Sequence, residues 1–111
     1  MVAANDAAGD PVATLEAKGG SMSVYANRIE ITRSSGSMFE DKQIPLSEVE
    51  AVGYERGIFT GHVQVRQRGV GADTGGLLSH PVDENTLHFP RGEREAAREL
   101  RDAILERADV Q

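Results

Sequence analysis

The apolar residues of this chain change period once, close to Pro90, and that change limits the folds open to it. Before Pro90 they alternate with polar residues in short runs; after it they recur at steps of three and four. A period of two sends successive side chains to opposite faces of a strand, whereas a period near 3.6 lines them along one side of a helix.

The first region reads as a series of antiparallel strands, each wet on one side. Ala13, Leu15 and Ala17 share one face, with Thr14, Glu16 and Lys18 on the other. A Gly19-Gly20 turn leads to a second inward set, Met22, Val24 and Ala26. Ile29 and Ile31 alternate with Arg28, Glu30 and Thr32. A fourth strand is expected from Met38 to Ile44, ended by Pro45. Leu46 to Val49 fits one helical turn or an irregular crossing, and Val49 to Tyr54 is strand-like again. Phe59, Val63 and Val65 fall on one face, His62, Gln64, Arg66 and Arg68 on the other. A long connection, Gly69 to Glu84, then leads to a last strand, Asn85 to Phe89, with Leu87 and Phe89 inward.

Beyond Pro90 the stripe of Ala97, Leu100, Ala103, Ile104 and Ala108 predicts a surface helix with one buried side. Pro90 stands where a helix can begin, because its missing N–H costs nothing there. The expected class is therefore mainly β with one C-terminal α-helix, arranged as a seven-stranded sandwich or partly open barrel capped by the helix. A chain of 111 residues holds one such core. Residues 1–11 read as a tail and residues 12–109 as the domain.

Composition narrows the functions. A formal net charge of −6 opposes general binding to nucleic acid or to anionic membranes, which reward a basic face. With no cysteine there are no disulfides, thiolate metal sites or cysteine nucleophiles, and a reducing cytoplasm is the expected compartment. No apolar run approaches the ~18 residues of a membrane span. Met1 to Asp10 lacks the basic and apolar regions of a secretory signal.

Several short motifs sit on this frame. Ile29-Glu30-Ile31-Thr32-Arg33 precedes Ile44-Pro45-Leu46-Ser47-Glu48-Val49-Glu50-Ala51-Val52, and Gly61-His62-Val63-Gln64-Val65 follows. Asp83 to Phe89 and the closing segment Ala97 to Arg107 complete the set. Together they resemble bacterial and archaeal pleckstrin-homology-like (PH-like) domains of unknown function, over about residues 12 to 108. The chain carries Val52-Gly53-Tyr54 where such domains often have a nearby aromatic in a V-x-W pattern. The resemblance implies a PH-like fold and a binding or scaffolding module.

Candidate chemistries are few. Lipid-binding PH domains grip phosphate through a basic first loop, but here Lys18-Gly19-Gly20-Ser21 offers one cation, too few to hold a headgroup against water. His62 and His88 lie on the polar faces of strands that pair if the last two strands are antiparallel neighbours. No carboxylate is tied to them by spacing and His80 sits in the long connection, so no metal and no cofactor is expected. The glycines between Gly69 and Gly76 precede a strand and include no lysine, unlike a phosphate-binding loop. No G-x-S-x-G elbow or linked serine, histidine and acid is present, so an enzyme is not expected.

What remains is partner binding. Ile58-Phe59 stands between Arg56-Gly57 and Gly61 as the tip of a hairpin, where folding alone gives little reason for an apolar pair. Tyr54, Arg56, Ile58, Phe59, Arg66, Arg68, Leu77 and Leu78 are the expected contact residues for a protein or peptide partner. Arg66 and Arg68 read more readily as a solvated strand face whose charges pair locally. The alternatives are weak attachment to a membrane or a small ligand through the same tip, or assembly with further copies, the Ala97 to Ile104 stripe serving as a seam instead of a cap.

Overall fold

The computed structural model describes residues 9–70 and 83–108. Most of the expected N-terminal tail, and Leu77, Leu78 and His80 of the long connection, lie outside them. The described chain forms seven strands and one α-helix, as the change of period predicts. The strands are β1 (Ala13–Ala17), β2 (Gly20–Val24), β3 (Arg28–Arg33), β4 (Lys42–Pro45), β5 (Val49–Glu55), β6 (Thr60–Gln67) and β7 (Thr86–Pro90), followed by α1 (Arg94–Arg107).

The strands form two antiparallel sheets, ordered β1-β2-β3-β4 and β5-β6-β7. The sheets do not close into a barrel, so the sandwich is the form adopted. The core lies between them: Leu15, Met22, Val24, Ile29, Ile31 and Ile44 from the first sheet meet Val63, Val65, Leu87 and Phe89 from the second. The β2–β3 register sets Met22 opposite Ile31 and Val24 opposite Ile29, which keeps the apolar set on one face. Helix α1 packs against both β1 and β5 and buries Ala97, Leu100 and Ile104. It thus caps the corner between the two sheets.

The family-like motifs acquire structural reasons. Ile44, Leu46 and Val49 are all buried, and a 3₁₀ turn at Leu46–Glu48 carries the chain from the first sheet to the second. The Leu46 amide donates to the Asn27 carbonyl at 3.1 Å, fixing that crossing. At the start of β7 the Asp83 carboxylate accepts from the Asn85 amide at 2.9 Å, the Thr86 hydroxyl at 2.7 Å and the Gln64 side-chain amide at 2.7 Å. Asn85 in turn donates to Gln67, and Gln67 to Glu48. The Asp83-Glu84-Asn85 segment is a turn held by side chains, a use to which aspartate and asparagine are suited.

Four local expectations are corrected. Strand β4 begins only at Lys42, and Met38 to Asp41 form a connection in which Met38 is 81% exposed. Ala26 is exposed beyond the end of β2, because the chain already bends there into β3. Gln64 is buried although it lies on the polar face of β6: the Asp83 turn folds over it and satisfies its amide. The α-helix starts at Arg94, since Pro90 ends β7 and opens a 3₁₀ turn, Arg91–Glu93, ahead of it.

Candidate functional site

The hairpin joining β5 to β6 projects an apolar tip. Ile58 is 74% and Phe59 78% exposed. Phe59 therefore does not share the inward face of Val63 and Val65; it precedes β6, which begins at Thr60. Glycines shape the loop. Gly57 has φ of +63°, in the left-handed region, and a Cβ there would strike the Thr60 carbonyl. At Gly61 a Cβ would meet the Phe89 ring at 2.6 Å as well as backbone carbonyls of the hairpin. These glycines, one each side of the tip, allow a turn too tight for any side chain at either position.

Arg94, the first residue of α1, holds this loop from below. Its guanidinium donates to three successive carbonyls: Arg56 at 3.3 Å, Gly57, and Ile58 at 3.1 Å. A single planar fork thus fixes the path of the tip, and with it the outward direction of Ile58 and Phe59. Burial, and then the neighbouring Arg56 and Arg91 cations, push the Arg94 pKa below its ordinary value. Tyr54 closes the base. Its hydroxyl donates to the Arg94 carbonyl at 3.4 Å, its ring stacks against Phe89 with centroids 6.0 Å apart, and the Arg101 guanidinium lies 5.0 Å from its centre.

A groove of about 350 Å³ runs between this end of β5 and the helix, lined by Tyr54, Arg56, Arg94, Glu95 and Arg98. Arg91, Arg94, Arg98 and Arg101 recur at steps of three and four, which sets them along one flank of the helical segment. The signal that separates them from Glu95, Glu99, Asp102 and Glu106 is this spacing, taken relative to the buried Ala97, Leu100 and Ile104.

The expected contact residues divide into two groups. Tyr54, Arg56, Ile58 and Phe59 come together at the tip and groove. Arg66, near the far end of β6, and Arg68, just past it, are exposed, about 23 and 30 Å from Phe59 at the rise of an extended strand. There Arg68 donates to the Ser47 carbonyl at 3.3 Å, and Arg66 lies opposite Ala51. Leu77 and Leu78 lie outside the described residues. His62 and His88 are direct cross-strand partners with ring centroids 5.8 Å apart. Among the described residues no group of three or more metal-ligating side chains forms. No described helix is long and apolar enough to cross a membrane.

The fold so far defines a class, a two-sheet β-sandwich with one capping helix. Residues 23–105 match the family described as a domain of unknown function (DUF4429), and the chain belongs to it. No curated protein and no solved structure matches the chain.

Proposed function

We propose that this chain is a non-catalytic, PH-like interaction module that binds a protein or peptide partner through the β5–β6 tip. The observation that carries the reading is the rigid presentation of Ile58 and Phe59. Both side chains are largely exposed, and the loop beneath them is fixed by three hydrogen bonds from Arg94. An apolar pair on a floppy loop would lose binding energy to ordering; a held pair has met that cost in folding. Seven antiparallel strands with a helix over one corner also suit the PH-like arrangement, in which strand edges and the sheet–helix groove are available to ligands. Lys18 stands at the β1–β2 turn as the one cation of that loop, which favours a protein partner over a phosphorylated lipid headgroup.

The test is capture from native lysate with the full chain as bait beside an Ile58→Ser/Phe59→Ser variant. Because neither side chain is in the core, the variant is expected to melt as the wild type does. Loss of a specific partner with the folded variant is the expected result. Equal recovery by both baits removes the tip from the interface.

A further inference from the structure

A row of potential metal ligands crosses the outward face of the second sheet. His62 pairs with His88 across β6 and β7, and on its other side His62 pairs with Glu55 across β5 and β6. Directly opposed residues of antiparallel strands project from the same face. The adjoining row is Tyr54, Val63 and Leu87, of which Val63 and Leu87 are buried in the core. Glu55, His62 and His88 therefore face the other way, outward. Glu55 is exposed and both histidines are half-buried. Spacing along the chain ties no carboxylate to the histidines, but the register of β5 on β6 does.

The two rings stand close to the separation that a shared ion requires. Their centroids are 5.8 Å apart and their planes are tilted by 58°. Imidazoles bound to one tetrahedral ion through bonds of ~2.0 Å have ring centres roughly 5 Å apart, so small side-chain rotations suffice. Glu55 does not close on the rings as it stands, since no described group of three or more metal-ligating side chains forms. Its side chain is exposed and forms no ion pair among the described residues, so turning it toward His62 breaks none. His62 is the middle member, flanked by Glu55 and His88 at the ~5 Å spacing of paired strands.

Charges around the row act in both directions. The Asp83 carboxylate accepts from Gln64 and Thr86, the next pair along the same face, and adds negative charge beside the histidines. Lys18 and Arg33 oppose a cation, because both line the hollow that His88 also borders. Arg56 follows Glu55 but lines the groove beside the helix, and Arg66 is ~13 Å along β6 from His62. With cations this near, charge alone draws no ion to the row. The imidazoles have to hold it, which disfavours magnesium and calcium, whose ligands are oxygens.

We propose that Glu55, His62 and His88 bind a divalent transition-metal ion of the zinc type, with water in its fourth position. An ion there ties β5, β6 and β7 together immediately below Ile58 and Phe59. Metal binding at this row does not depend on what the tip binds.

The untagged full chain is titrated with zinc chloride by calorimetry, and the histidine side-chain NMR signals are followed in parallel. One ion per chain is expected, moving the signals of His62 and His88 and leaving that of His80 unmoved. His62→Gln and His88→Gln are each expected to weaken binding about tenfold or more, because losing even a group behind a metal ligand costs that much. Glu55→Gln, at an exposed position, is expected to melt as the wild type does and to weaken binding as well. His80→Gln and Glu50→Gln are expected to bind as wild type. Zinc is expected to raise the Tm of the wild type and not that of His62→Gln/His88→Gln. If either histidine variant fails to melt cooperatively, Glu55→Gln and the wild-type NMR shifts decide. No zinc binding, binding that survives loss of both histidines, dependence on His80, or an equal response to magnesium chloride overturns the proposal. Wild-type affinity in Glu55→Gln overturns it too, since the carboxylate is then no ligand.

Discussion

Arg33 and Arg98 show the same side chain put to two uses. Arg33, at the end of β3, is half-buried and bonded across the junction, although its buried Nε meets no hydrogen-bond partner among the described residues. Its Nη2 donates to the Glu84 carbonyl at 2.9 Å, its backbone amide donates to Asp41 at 2.7 Å, and its guanidinium lies 5.0 Å from the centre of the Phe39 ring. Lys42 pairs with Glu84 at 3.1 Å, so both cations at this junction are engaged in tying the two sheets together. Burial pushes the Arg33 pKa below its ordinary value, and the Asp83 and Asp41 carboxylates pull it back up. Arg98, by contrast, is exposed on the helix, and among the described residues its side chain forms neither a hydrogen bond nor an ion pair, whereas Arg33, though also without an ion pair, is hydrogen-bonded. A cation that bridges two elements is explained by the fold. A cation lining a groove with no partner among the described residues is not explained by the fold.

This contrast yields ordered expectations, from the largest effect downward. Leu100→Ala removes a fully buried side chain from beneath the capping helix and is expected to cost about 2–5 kcal/mol in urea unfolding. Gly61→Ala forces a methyl group against Phe89 and two carbonyls of the hairpin, and a loss of about 1–3 kcal/mol is expected by the same method. Arg33→Met leaves the Glu84 carbonyl without its donor, at an expected cost of about 1–3 kcal/mol. If Arg33→Met were neutral, the distinction between engaged and available arginines would fail at its structural end. Ile58→Ser/Phe59→Ser and Arg98→Glu are expected to change stability by no more than about 0.5 kcal/mol each, because both sites face solvent. Marked destabilisation by either would mean that these residues serve the fold.

The strands and helix were legible because burial imposes its period on the sequence. Leu15, Met22, Val24, Ile29 and Ile31 all went to the core as their alternation requires. The tip was legible from Gly57 and Gly61, which flank it: the left-handed Gly57 turns the chain and leaves Ile58 and Phe59 ahead of β6. Phe59 was harder to place, since an aromatic residue two positions before Gly61 continues the inward alternation of Val63 and Val65. The left-handed Gly57 breaks that alternation, and periodicity alone does not register such a break. Gln64 misled for a different reason: its face of β6 is covered by the Asp83 turn, nineteen residues away along the chain. The arginine groove needed tertiary information. Arg56 and Arg94 are far apart in sequence, and only the docking of α1 against β5 brings them to one surface.

The most direct test of the account uses two exposed apolar positions that differ in setting. A photo-crosslinking residue is placed at Phe59, on the held tip, or at Met38, in the β3–β4 connection, and each full-length chain is irradiated in native lysate. The account predicts a discrete adduct from position 59 and none from position 38. Equal adducts from both positions, or an adduct from position 38 alone, would contradict the claim that the β5–β6 tip is the surface this domain presents to its partner.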